Sequence, residues 1–105
     1  MVAACLYRTC LALTDMGHGN YHLYYLKTLD KQEIDFIVEA DGKPVMAVEV
    51  KLNETRLSRP LQGRRKWFPG VSTLGVQVIN QRRVLQKHPE NTWIMSAERF
   101  LSLLP

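Results

Sequence analysis

The chain has 105 residues, 46% of them hydrophobic, and a formal net charge of +4. That is the size of one small domain with a modest core, and residues 1–105 are read as a single domain. No run approaches the ~20 apolar residues of a membrane span, no basic leader precedes the apolar start, and two cysteines make no secreted disulfide framework, so a cytoplasmic protein is expected.

Residues Val2 to Leu13 read as a helix, ended by Gly17 and Gly19. Nearly every position in it is apolar, with Arg8 and Thr9 the main exceptions. A helix apolar all round needs cover on more than one side. A second copy of the chain is expected to supply that cover, giving a homodimer through this helix. Cys5 and Cys10 are spaced wrongly for a disulfide and have no neighbouring ligands for zinc. Tyr21 to Thr28 reads as a tyrosine-rich strand, and Glu33 to Glu39 and Val45 to Lys51 as a hairpin. Leu57 to Phe68 reads as a short helix, with Pro60 in its first turn and Pro69-Gly70 as its stop. Its buried stripe is Leu57, Leu61, Phe68 and Trp67. Leu74 to Ile79 is apolar apart from Gln77, the pattern of a central strand. Thr92 to Met95 is the last strand, and Ser96 caps a helix through Leu104, with Glu98 near its positive end. The order is α-β-β-β-α-β-β-α. It predicts an α/β (α+β) sandwich around a mixed sheet: an antiparallel meander, then a helical crossover to a parallel strand.

The chemistry concentrates in the hairpin. Side chains alternate along a strand, so Glu49 and Lys51 share a face. Asp35 joins them only in the right register. A two-residue turn at Asp41-Gly42 would put Asp35 opposite Val48, among apolar side chains. A three-residue loop, Ala40-Asp41-Gly42, pairs Glu39 with Lys43, Asp35 with Ala47 and Glu33 with Glu49. Both turns suit Asp-Gly. The three-residue loop is expected, because a buried carboxylate without a partner is costly. Two carboxylates can hold a divalent cation, and a lysine beside them places positive charge next to a phosphate.

The runs Tyr24-Tyr25-Leu26-Lys27-Thr28, Glu33-Ile34-Asp35-Phe36-Ile37-Val38-Glu39, Gly42-Lys43-Pro44 and Ala47-Val48-Glu49-Val50-Lys51 resemble a domain of unknown function. That domain is C-terminal in a family of predicted prokaryotic AAA+-type ATP-binding proteins. It belongs to the PD-(D/E)XK, restriction-endonuclease-like superfamily. The resemblance implies a three-layer core with a mixed β-sheet flanked by helices. It also implies metal binding (Mg²⁺ or Mn²⁺) by Asp35, Glu49 and the Val50 backbone carbonyl, with Lys51 supporting the attacking water. Glu33 is a candidate further ligand, because Met1 to Thr14 lacks the acid that superfamily nucleases often carry in their opening helix. No G-x-x-x-x-G-K-[ST] phosphate loop occurs, so the ATPase module of the parent family is expected to be missing from this chain, which is read as a domain fragment or a stand-alone relic.

Charge is unevenly spread. No acid falls between Glu54 and Glu90, where Arg56, Arg59, Arg64, Arg65, Lys66, Arg82, Arg83 and Lys87 all lie. An acidic pocket beside such a basic surface is what a nuclease needs, and these arginines and Lys66 are the candidate nucleic-acid contacts. Trp67 either stacks on a base or packs on the sheet. His18, His22 and His88 have no partner at metal-ligand spacing, and no serine or cysteine sits in a nucleophile pattern. Three functions follow: a metal-dependent nuclease, a non-catalytic nucleic-acid-binding module, or an interaction and assembly module for an ATPase partner.

Overall fold

The computed structural model describes residues 2–27, 33–53 and 55–104. Thr28, where the first strand was expected to end, and Glu54 lie outside the described residues. The elements run α1 (Val2–Asp15), β1 (Tyr21–Lys27), β2 (Glu33–Ala40), β3 (Lys43–Lys51), α2 (Arg59–Gln62), a 3₁₀ turn (Arg64–Lys66), β4 (Leu74–Ile79), β5 (Leu85–His88), β6 (Thr92–Ser96) and α3 (Ala97–Leu103). One mixed sheet of six strands has the order β1-β2-β3-β4-β6-β5. β1, β2 and β3 form the antiparallel meander, and β3, β4 and β6 are parallel.

Helices cover both faces. Leu6 and Cys10 of α1 and Phe100 of α3 pack on Val38, Val48, Val76, Val78 and Met95. On the other face Leu61 of α2 seals Ile34, Ile37 and Ala47, with Leu57, Trp67 and Phe68 around it. Trp67 therefore packs in the α2 layer, and Lys66 Nζ lies 5.0 Å from the centre of its ring.

Local chemistry explains the boundaries. Gly17, at φ 81°, lets α1 close with paired bonds, His18 N–H to the Leu13 carbonyl and Gly17 N–H to the Thr14 carbonyl. The helix expected over Leu57 to Phe68 is shorter and divided. Only Arg59–Gln62 is α-helical, and the 3₁₀ turn follows at Gly63. So short a helix has no stability of its own. It is held by the fully buried Leu61 and by Ser58, whose Oγ accepts the Leu61 N–H at 3.2 Å. Ser96 occupies the N-cap position of α3 without making a side-chain capping bond.

Two features depart from the expected order and register. β5 is an additional strand, paired only with β6 at the sheet edge. Its sequence, Leu-Gln-Lys-His, is mostly exposed and has no apolar face to signal it. The hairpin turn is the two-residue form, with Ala40 opposite Lys43, correcting the three-residue expectation. Asp41 and Gly42 both have positive φ, 51° and 82°, as a type I′ turn requires. The tertiary context selects it. The Asp41 carboxylate accepts the Asn20 N–H and the Asp41 N–H donates to the Asn20 carbonyl, both at 2.9 Å. A Cβ at Gly19 would lie 2.7 Å from Asp41 Oδ2, so the α1–β1 connection passes the turn there without a side chain.

Candidate active site

A bulge in β3 repairs the register that the short turn would otherwise spoil. Between Val38–Met46 and Glu39–Pro44 the pairing slips by one residue, leaving Val45 over. Ile37 then faces Ala47 and Phe36 faces Val48, so the next positions level with each other are Asp35 and Glu49. A second slip, in β2 against β1 between Ile34 and Ile37, puts both isoleucines into the α2 layer. Asp35 falls within that irregular stretch. Its carboxylate accepts the Val50 N–H at 2.8 Å, so the side chain takes a backbone donor of β3.

Glu49 is 4% exposed, and its carboxyl stands beside Asp35, near enough for both the side chain and the backbone of Asp35 to act on its charge. Burial and then the neighbouring Asp35 raise its pKa from 4.5 to about 7, against a smaller opposing pull from Lys51. Glu33, Asp35, Glu49, Val50 and Lys51 line one cavity of about 410 Å³, closed from the α2 side by Ser58, Arg59 and Pro60. The hairpin supplies the acids and Lys51, and the start of α2 supplies Arg59.

The other candidate residues are placed differently. Glu33 faces Lys27 on β1, its carboxylate 3.7 Å from the Lys27 ammonium. Among the described residues no group of three or more His, Cys, Asp and Glu side chains gathers at metal-ligand distance. α1 runs on past the expected Leu13 to end at Asp15. Arg56, Arg59, Arg65, Lys66, Arg82 and Arg83 are on the surface. Arg65 is paired with Glu90 at 3.2 Å.

Arg64 does not belong to a basic surface at all. It is 2% exposed. Its Nη1 donates to the Leu61 carbonyl and to Thr92 Oγ1, both at 2.9 Å, and its Nη2 donates to the Thr73 and Glu90 carbonyls, both at 2.7 Å. The guanidinium ties the 3₁₀ turn to the loops before β4 and β6. Gly75 makes room for it: a Cβ there would lie 2.8 Å from Arg64 Cζ.

Gln77 and Ser58 carry a role that the sequence reading did not assign. Gln77 is fully buried and stands level with Glu49 across β3 and β4. Its Oε1 accepts the Ser58 N–H at 2.8 Å, and its Nε2 donates to the Arg56 carbonyl at 2.9 Å. One side chain thus holds the β3–α2 connection, and with it Arg59, above the acid pair. The signal in the sequence is the lone amide in an otherwise apolar central strand.

Neither the curated proteins nor the solved structures contain a match to this chain. Residues 7–100 match a family described as a domain of unknown function (DUF4143), and that stretch takes in α1 from Tyr7, every strand and the acid pair. The chain belongs to the DUF4143 family.

Proposed function

We propose that this domain hydrolyses phosphodiester bonds in nucleic acid with the help of a divalent cation. On this reading it is a PD-(D/E)XK domain that works beside an AAA+-type ATPase module. The observation that carries it is the Asp35–Glu49 carboxyl pair, sharing one cavity with Lys51 and Arg59. Carboxyls held against each other repel when both are ionised, and a divalent cation relieves that repulsion. The donor set fits. Asp35, Glu49 and the Val50 carbonyl would hold Mg²⁺ or Mn²⁺ with hard oxygen ligands. When bound, the ion supplies Lewis-acid stabilisation of the phosphoryl oxygens and a more acidic water. Asp35 is oriented by the Val50 N–H. Lys51, exposed at the strand end, would set its side chain beside the reacting phosphate. Arg59, across the cavity, draws the phosphate in. Glu33 would join as a ligand only after leaving Lys27, a step that costs little for an exposed pair.

The test is cleavage of plasmid and of single- and double-stranded oligonucleotides with Mg²⁺ or Mn²⁺. Lys51→Ala should abolish cleavage with the fold intact, and Asp35→Asn should raise the metal concentration needed. Equal behaviour of wild type and Lys51→Ala across these substrates rejects the enzyme reading. A second reading, binding without cleavage, is favoured by the lack of a three-ligand group among the described residues. Its signature is salt-sensitive binding through exposed arginines such as Arg59, Arg82 and Arg83, with no metal-dependent product.

A further inference from the structure

The sheet ends in two unlike edges. β5 is four residues long, carries Lys87 and is followed at once by Pro89. Such an edge resists further pairing. β1 is seven residues long, without proline or acid, and among the described residues it pairs with β2 alone. It carries no bulge of its own: from Tyr24 to Leu26 it advances two residues while β2 advances three, from Ile37 to Ile34.

The direction of its free peptide groups follows from the hairpin. Ala40 closes the two-residue turn against Lys43, so its backbone groups face β3. Tyr21, opposite Ala40, therefore turns its own away from the sheet. Its N–H accordingly donates to Thr14 Oγ1 of α1, at 2.9 Å. Peptide groups alternate along a strand, so those of Leu23 and Tyr25 also point outward. Side chains alternate as well. Tyr21 and Leu23 pack with the α1 layer and Leu26 with the α2 layer, which sets Tyr25 on the α1 face and Tyr24 on the α2 face. Tyr24 is 43% and Tyr25 70% exposed.

α1 adds an apolar margin beside this edge. Tyr7, Leu11 and Thr14 follow the i, i+4, i+7 spacing of one helix stripe. Thr14 reaches the outward amide of Tyr21, so the stripe lies toward the free edge of β1, and its Tyr7 and Leu11 are exposed.

We propose that β1 pairs antiparallel with β1 of a second copy, about a two-fold axis at Tyr24, so that two six-stranded sheets become one. The strand suits itself in this register. Leu23 stands opposite the partner's Tyr25, the two positions with outward peptide groups, and each such pair exchanges both of its N–H···O bonds. Tyr24 meets its own copy on the axis, in the closer kind of cross-strand pair, where aromatic side chains stabilise each other. Lys27, the one full charge of β1, falls opposite Tyr21 and stays ~20 Å from its copy. The axis stands normal to the sheet, so both α1 helices lie on one face with Tyr7 and Leu11 turned to the same seam. An unrelated strand would satisfy the peptide groups and leave the helix stripe bare, whereas a second copy covers both.

Sedimentation equilibrium across the micromolar range, with amide hydrogen exchange, tests the pairing. Wild type should be a dimer, and the Leu23 and Tyr25 amides should exchange at least about tenfold more slowly in the dimer than after dilution to monomer. Tyr25→Pro removes an N–H that the chain's own sheet does not use, so the fold should survive while ladder bonds to the partner are lost. Tyr24→Lys sets two like charges against each other on the axis. Both variants should be monomeric, with fast exchange at Leu23. Leu85→Lys, on the opposite edge, should remain a dimer. Circular dichroism checks folding, and if proline disturbs the strand, the exposed Tyr24→Lys carries the test. A monomeric wild type overturns the proposal. So does a dimer that persists in Tyr24→Lys. A dimer whose Leu23 and Tyr25 amides exchange as fast as the monomer's is held by the helix alone, and overturns it too.

Discussion

Glu49 gives the domain a pH-dependent contribution to stability. Its pKa is raised by burial, then by Asp35, from 4.5 to about 7, so the folded state holds this proton more tightly than the unfolded chain does. That contribution to stability is fully present below the unfolded pKa and is lost as pH rises through the folded one. Without metal, stability should fall between pH 4.5 and 7, by up to roughly 3 kcal/mol. Glu49→Gln should remove the slope, and Mn²⁺ at pH 7 or above should restore stability by binding the ionised pair. Urea unfolding across that pH range, with EDTA or Mn²⁺, measures all three effects; a flat wild-type profile would count against the shifted carboxyl. Arg64 makes the opposite kind of residue-level prediction. Removing a guanidinium that serves the carbonyls of Leu61, Thr73 and Glu90 takes a donor from each, and only Glu90 keeps another, the Thr92 hydroxyl. Arg64→Ala should destabilise by about 2–4 kcal/mol. Arg64→Lys should not rescue, since an ammonium lacks the planar fork. Gly75→Ala should cost about 1–3 kcal/mol through the clash with Arg64. If the domain binds nucleic acid, the affinity of the folded fraction should be unchanged by these substitutions, whereas Arg83→Ala should weaken it and lower the salt slope by about one.

At the scale of elements, the β3–α2 connection depends on Gln77. Gln77→Leu keeps the volume but drops both ties, to the Ser58 amide and to the Arg56 carbonyl. It should cost about 1–3 kcal/mol and speed hydrogen exchange at the Ser58 amide. If the domain cuts, KM should rise more than kcat falls, because Arg59 sits across the cavity from the acids. Unchanged exchange at Ser58 would show that the loop is held by something else. The hairpin teaches how register is decided. Alternation along Glu33–Glu39 and Val45–Lys51 correctly marks two strands and their shared face. It cannot reveal that a short turn is compensated by a slip at Val45, because both turn forms suit Asp-Gly and only the contacts of Asp41 with Gly19 and Asn20 distinguish them. β5 was missed for a related reason. An edge strand with polar faces has no hydrophobic period to read, and only its pairing with β6 defines it.

At the scale of the whole molecule, α1 turns Leu6, Thr9 and Cys10 to the sheet and leaves Tyr7 and Leu11 57% and 47% exposed. A homodimer through this helix predicts concentration-dependent sedimentation that Tyr7→Lys abolishes; a monomeric wild type at micromolar concentration rejects it. No described helix is long and apolar enough to cross a membrane. By itself the sequence determined the mixed α/β class, the two-sided core and the residues that could form an acid pair. Those follow from side-chain periodicity, which is local, and from alternating polar and apolar positions, which have few ways to be buried. Only the tertiary structure decided which charges face water. Arg59 and Arg64 look equivalent along the chain, yet one lines the acidic cavity and the other is enclosed by carbonyls of distant loops. It also decided that Gln77 is a tie and not a gap in an apolar strand. A polar side chain in the core is defined by the partners that satisfy it, and those partners are brought together only by the fold.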